Sequence, residues 1–403
     1  MTTATLLEEA ADLLPGAVEL RRRIHRRPEL GLELKETQAS VLEAIDGLGL
    51  AVTAGEAVTS VVATLGDEGP AILLRADMDA LPMPEDTGLP FASEVAGAMH
   101  ACGHDAHVAM LVGAARLLAA RTATLPGRVV FMFQPGEEGH HGARFMIEEG
   151  LLDGPGAPEA AFAVHITPTW RSGTVSTRPG PLLASADVFE VGVIGRGGHA
   201  SMPHLVVDPI PIACEIVQAI QSMVTRRIDA FDPAVVTVAK IDAGTTNNVI
   251  PERATMVGTV RTTSEGTRTR VLELLRQVAT GVAAAHGADA TVEIRPGYPV
   301  TVNDDDFATF AASVATDLVG ADRTLTMEHP IMGAEDFSYV LQRVPGAMVF
   351  LGARPDGEGP VAPNHSNRMV LDEDAMATGM AMYAGVALAW LGRRPAGEPP
   401  TLL

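Results

Sequence analysis

Ala71-Ile72-Leu73-Leu74-Arg75-Ala76-Asp77-Met78-Asp79-Ala80-Leu81-Pro82 is the stretch that decides the architecture. Its four opening apolar residues predict a buried strand over 71–74, and the chain passes without a break into Arg75, Asp77 and Asp79. Carboxylates at the C-terminal edge of a strand mark the place where α/β sheets build their sites. The same pattern recurs twice. Residues 128–133 form a continuous apolar run, as a strand buried on both faces requires, and Gln134-Pro135-Gly136 ends it just before Glu137-Glu138. Residues 160–164 form another, with His165 at its end. Three apolar strands that each end in a polar cluster predict one sheet with its chemistry along one edge. A further strand over 60–65 and helices over 4–26 and 107–120 complete this part.

The rhythm changes near Ala186. Strands are expected over 187–194, 234–241, 254–261 and 290–294, with helices over 209–226 and 266–286. This βαββαβ order is the split β-α-β pattern of a ferredoxin-like sandwich. A chain of 403 residues exceeds the size at which one core keeps growing, so a second, inserted domain is expected. The expected division is 1–185 and 300–403 for one α/β domain and 186–299 for the insert.

Composition narrows the function. Hydrophobic residues make up 47% of the chain, which demands a folded core. The 29 basic residues against 50 acidic ones leave a net charge of −21. A field of that sign argues against nucleic acid and anionic membranes as partners and favours cations. Two cysteines, Cys102 and Cys214, make no disulfide framework and suit a reducing, cytoplasmic compartment. Cys214 is expected in the core. The opening MTTATLLEEAADLL carries acidic residues where a signal peptide needs a basic region. Residues 375–392 are free of charge, but the flanking Asp372-Glu373-Asp374 and Arg393-Arg394 suit the two ends of a helix dipole. A buried C-terminal helix is expected there rather than a membrane span, and a loose tail over 395–403.

Metal-binding chemistry is concentrated in Met99-His100-Ala101-Cys102-Gly103-His104-Asp105. Gly103 permits a tight path that turns a thiolate and an imidazole toward one centre. Taken singly, Cys102 and His104 read equally as core residues, Glu137-Glu138 as a solvated loop, and His165 and His365 as ordinary histidines. Taken together, Cys102, His104, Glu138, His165 and His365 provide five ligands, enough for two divalent metal ions that share a bridging group. Glu137 is then placed to act as general base on the attacking water. A sulfur ligand favours zinc-like ions over magnesium or calcium.

At this point the chain resembles the dinuclear metal amidohydrolases that include aminoacylase, carboxypeptidase G and allantoate amidohydrolase, and within them the branch of hippurate hydrolase and the plant indole-acetyl-amino-acid hydrolases. The resemblance runs nearly end to end. It is carried by RRRIHRRPELG (21–31), RADMDALP (75–82), MHACGHDAH (99–107), FQPGEEG (133–139), GRGGHASMPH (195–204), NNVIPE (247–252), GAEDFS (333–338) and PNHSN (363–367). It implies a mixed-sheet, metallopeptidase-like catalytic domain with a ferredoxin-like lid that also forms a homodimer. It implies the same five metal ligands, with zinc or manganese favoured and cobalt or nickel admissible, and Glu137 as base. Asp79 is implied as the acid that orients a ligand, whereas a role for Asp77 in binding metal stays open. His199 is implied as a lid histidine that serves the partner's active site, Asn248 and Arg261 as grips on the substrate carboxylate, and Gly333 as pocket lining. The expected activity is hydrolysis of small N-acyl-amino acids. The rival readings are a dipeptidase or carboxypeptidase, an N-acetyl-diaminopimelate deacetylase and a catalytically silent metal or ligand sensor.

Overall fold

The computed structural model describes residues 3–357 and 359–393. The tail expected over 395–403 lies outside them. The chain forms two compact units, one made of residues up to Leu182, Val302–Glu328 and the part from Tyr339 onward, the other of Leu183–Thr301 and His329–Ser338. The expected boundaries left 329–338 in the first domain. Backbone bonds draw it to the second instead: Ala184 N–H donates to Ile331 O (3.0 Å) and Gly333 O (2.9 Å). Pairing across some 150 positions leaves no periodic trace in a ten-residue stretch.

The first unit starts with helices α1 (Thr3–Arg26) and α2 (Lys35–Ile45) and strands β1 (Ala51–Ala54), β2 (Val61–Leu65) and β3 (Ala71–Asp77). It continues through α3 (His104–Ala119), β4 (Arg128–Gln134), α4 (Gly142–Glu148), β5 (Ala160–Thr167) and β6 (Val175–Thr177). The second unit holds β7 (Asp187–Ile194), α5 (Pro209–Arg227), β8 (Ala234–Ala243), β9 (Arg253–Thr262), α6 (Glu265–Ala285) and β10 (Asp289–Pro296). The first unit then resumes with α7 (Asp305–Val319), β11 (Thr324–Thr326), β12 (Gly346–Gly352) and α8 (Ala375–Gly392).

In the first unit the sheet runs β1-β2-β4-β3-β5-β12-β6-β11. The β4-β3-β5-β12 centre is parallel, β1-β2, β2-β4 and β12-β6 pair antiparallel, and the edge pair β6-β11 is parallel again, so the sheet is mixed. Strands β3 and β12 are buried along their whole length, which explains the apolar run over 71–74 and the apolar character of all of β12. From β3 the chain crosses to β4 on one side and later returns to β5 on the other, so the crossover direction reverses at β3. The β3–β5 ladder stops at Arg75↔Ala163, and beyond it the strands part. Tyr383 of α8 fills the fork: its hydroxyl accepts from Val164 N–H (3.1 Å) and donates to Arg75 O (2.6 Å). A reversal of this kind opens a crevice at the carboxyl ends of the strands. Helix α8, long and apolar enough by length and composition to cross a membrane, is mostly buried and packs beside α1, α3 and α7.

The second unit is a four-stranded antiparallel sheet, β8-β9-β7-β10, backed by α5 and α6. Counted along the insert, that order is 2-3-1-4 for a βαββαβ chain, the ferredoxin-like arrangement. The alternating burial of β9 shows that one face is covered by the helices. Local signals start both helices: the Asp208 side chain accepts from Ile210 N–H ahead of Pro209, and Ser264 accepts from Thr267 N–H. Cys214 corrects its expectation, since it is exposed. The buried face of α5 is Ile212, Ala213, Ile216, Ile220 and Met223, and Cys214 falls off that stripe.

Candidate metal centre

The first unit gathers the predicted ligands at the parted ends of its central strands. Cys102, His104 and His165 offer donor atoms that all lie within 4.8 Å of one another, and so do Cys102, Glu138 and His365. These two triads share the Cys102 thiol. His104, Glu137 and Glu138 form a third group of the same kind.

Each donor is aimed by the chain around it. Gly103 adopts φ 87°, a left-handed conformation that turns the Cys102 loop into the first residue of α3, His104. His104 donates Nδ1–H to the Asp79 carbonyl (2.8 Å), which leaves Nε2 as the atom that could face an ion. His165 donates Nδ1–H to Ile166 O (2.9 Å), and its Nε2 faces Cys102 Sγ at 3.5 Å. The expected strand end at Val164 is extended by the structure: β5 runs on to Thr167, and His165 sits inside it opposite Phe350. The missing signal was β12, whose pairing with β5 holds those last residues in extended form.

Asp79 clamps the acidic loop. Its carboxylate oxygens accept from Glu137 N–H (2.9 Å) and Glu138 N–H (3.0 Å) separately. The loop turns through left-handed residues at Gly136, Gly139 and His141, so these two backbone donors point back at the strand end. His365 is also left-handed, at φ 67°, a conformation that costs a β-carbon residue on the order of 1 kcal/mol or more. His365 N–H on Ala101 O (2.7 Å) holds it there, with Asn364 Nδ2 donating to Cys102 O (3.0 Å) and Ile166 O (3.2 Å). As a result His365 Nε2 lies 3.2 Å from Glu138 Oε1.

Asp77 is already engaged on both oxygens. Arg75 Nη1 donates to Oδ2 (2.6 Å) and His107 Nδ1 to Oδ1 (2.5 Å), while His107 Nε2 accepts from Ile166 N–H (2.8 Å). His107 is thereby fixed with its proton on Nδ1, and neither of its nitrogens is directed at a cation. Asp77 Oδ2 is 3.6 Å from His104 Nε2, so its charge reaches the centre. Arg75, His107 and Asn364 are the supporting residues that sequence reasoning passed over or ranked low; their only trace was position inside the same motifs.

The electrostatics would suit a bound cation. Burial alone would push His104 down, but Asp77 and Cys102 hold it well above the usual histidine range. Hydrogen bonds to Cys102 and Glu138 lift His365 to about 10. Burial raises the Cys102 thiol, and burial with His107 alongside holds His165 well below its normal value. Protons thus collect on the histidines nearest the acids, where a cation would replace them. The donors fit such an ion: His104 Nε2 is buried with no hydrogen-bond partner among the described residues, a costly state for a polar atom, and Glu138 Oε1 meets only the His365 imidazole.

The remaining candidates belong to the second unit. His199 is exposed, and its Nδ1 accepts from Ser201 N–H (3.1 Å). Asn248 adjoins it, because His199 pairs with Val249 and Asn248 O accepts from Ala200 N–H. Arg261 does not join them. It lies eight residues along β9 from Arg253, roughly 25 Å at strand spacing, beside Asp187 at the opposite end of the sheet. Asn248 and Arg261 of one chain therefore cannot grip the same carboxylate. Gly333 lies against Leu183 and Ile331 near the start of this unit.

Known proteins resemble this chain over most of its length. Residues 73–389 match the family model "Peptidase family M20/M25/M40". A thermostable carboxypeptidase of Saccharolobus solfataricus is 38% identical, covering 95% of this chain and 97% of its own. An IAA-amino acid hydrolase of Arabidopsis thaliana is 39% identical over 96% of this chain and 88% of its own. A solved dinuclear metal binding peptidase of Bacillus subtilis, 35% identical, superposes with a TM-score of 0.83 over 94% of this chain and 99% of its own. The crevice, its paired donor triads and these matches lead to one conclusion: the chain belongs to peptidase family M20/M25/M40, hydrolases that act on amide bonds.

Proposed function

We propose that this protein cleaves N-acyl-amino acids to a carboxylate and a free amino acid, with two divalent ions per subunit and Glu137 as the proton carrier. The observation that carries the reading is the pair of donor triads sharing Cys102, with Glu137 beside Glu138 and His104 in the third group. Cys102, His104 and His165 would hold one ion, and Cys102, Glu138 and His365 the other. Zinc or manganese suits a set of sulfur, imidazole and carboxylate donors, and cobalt or nickel is also compatible. Bound ions supply Lewis acidity, polarising the scissile carbonyl and making water acidic enough to react at neutral pH.

The chain's own residues do the rest. Glu137 is nearly buried, and Asp79 fixes its backbone, so its carboxylate is held in place to take a proton from the attacking water. The same proton passes to the amine as the carbon–nitrogen bond breaks. His199 is proposed to stabilise the developing oxyanion in the partner subunit of a lid-mediated homodimer. The separation of Asn248 from Arg261 supports completion in trans: one chain supplies Arg261 and its partner Asn248 to the substrate carboxylate. Gly333 is proposed to line the pocket, and the compartment is proposed to be the reducing cytoplasm, which keeps Cys102 a thiol.

A second reading, C-terminal trimming of peptides, is favoured by the carboxypeptidase relative. Steady-state rates on hippurate, N-acetyl-methionine and a dipeptide, with metal content measured in parallel, separate the two. N-acyl substrates should dominate, and Glu137→Gln should abolish turnover with metal retained. No rate on any N-acyl substrate by metal-loaded protein overturns the proposal.

A further inference from the structure

The motif RRRIHRRPELG (21–31) takes no part in the chemistry above, yet two of its side chains are among the most deeply buried charges of the first unit. Arg21 is 1% exposed and His25 is fully covered. Both converge on one atom: Arg21 Nε (3.0 Å) and His25 Nδ1 (2.8 Å) donate to Oδ2 of Asp105. Asp105 is the residue next to His104 in the first turn of α3. Arg21 Nη1 continues to Glu373 (2.7 Å), which Arg22 shares, just ahead of α8. His25 Nε2 lies 3.2 Å from Glu85, whose carboxylate also accepts from Ser93 N–H. Burial would push His25 down, but the Asp105 charge and the bonds to Asp105 and Glu85 lift it to about 9. At neutral pH the cluster is thus three cations against three carboxylates. Farther along the motif, Glu29 O accepts from Ala80 N–H (2.8 Å), next to Asp79.

We propose that Arg21 and His25 are positioning residues of the metal centre: through Asp105 they fix the first turn of α3 and with it the aim of His104. This rests on the reading that Cys102 and His104 hold metal. The molecule contains its own control. The same two helices are joined a second time, by Arg121 and Glu9, beyond the last turn of α3. That pair lies a helix length from His104, about 24 Å over sixteen residues. A merely structural role for the motif predicts that cutting either tie has the same consequence. A positioning role predicts that only the tie at the metal end matters to metal.

The test compares wild type, His25→Gln, Arg21→Lys and Arg121→Met as full chains loaded with zinc and titrated with a chelator. His25→Gln should weaken zinc retention about tenfold or more and lower kcat with KM unchanged. Arg21→Lys, which keeps the charge but only one arm of the fork, should fall between it and wild type. Arg121→Met should lower the melting temperature and leave zinc retention alone. Retention in His25→Gln and Arg21→Lys equal to wild type overturns the proposal, as does an equal loss in Arg121→Met. Wild type that holds no zinc overturns the metal-centre reading itself, a result distinct from either.

Discussion

Asp79→Asn isolates the clamp on the loop that carries Glu137 and Glu138. The native carboxylate takes two charge-assisted bonds, from Glu137 N–H and Glu138 N–H, while its backbone carbonyl separately fixes His104. The substitution leaves the carbonyl in place, so the His104 tautomer is unaffected. Asparagine keeps one acceptor and turns an amide N–H₂ toward the other backbone donor. One bond falls from charge-assisted to neutral, about 1 kcal/mol, and one buried N–H is left without an acceptor, about 1–3 kcal/mol. The expected loss is about 2–4 kcal/mol, or a drop in melting temperature of roughly 4–8 °C at about 2 °C per kcal/mol. Because the loop carries Glu137, kcat should fall at least about tenfold, as misplacement of a catalytic group demands. Calorimetry, metal analysis and steady-state kinetics on one preparation decide the matter. A variant with wild-type kcat and melting temperature would refute the clamp.

Three further outcomes follow from the same geometry. Cys102→Ser removes the donor common to both triads and should cut metal affinity roughly tenfold or more; full loading measured by elemental analysis would take Cys102 out of the ligand set. His25 is lifted from 6.5 in the unfolded chain to about 9 in the fold, so its contribution is complete below pH 6.5 and lost as pH rises through about 9. Denaturant midpoints should fall between pH 7 and pH 10, and the slope should flatten in His25→Gln. Mixing inactive His199→Ala with inactive Glu137→Gln should restore part of the activity if the lid acts in trans, and a mixture as dead as its components counts against that assignment.

Periodicity and strand-end chemistry made much of this protein legible. The apolar runs ending in Asp77, Glu137-Glu138 and His165 become three parallel neighbours of one sheet, and the βαββαβ rhythm becomes the antiparallel sandwich of the second unit. Strand β12, as long as β3 and β4, carries no such signal because Gly346–Gly352 lacks a polar terminus, although it sits in the middle of the sheet. Cys214 was misplaced because an apolar neighbourhood in sequence says nothing about which side of a helix faces in.

What the sequence alone determined was the kind of donors and the elements that carry them, since both follow from residue type and local periodicity. Only the tertiary structure decided which atoms meet. It engaged both oxygens of Asp77 with Arg75 and His107, gave Asp79 two backbone donors to hold, and set Arg261 far from Asn248. Contacts of that kind join positions hundreds of residues apart, as between Asn364 and Cys102, 262 apart, or Arg21 and Glu373, 352 apart. Their energies depend on burial and angle, which no local pattern along a chain encodes.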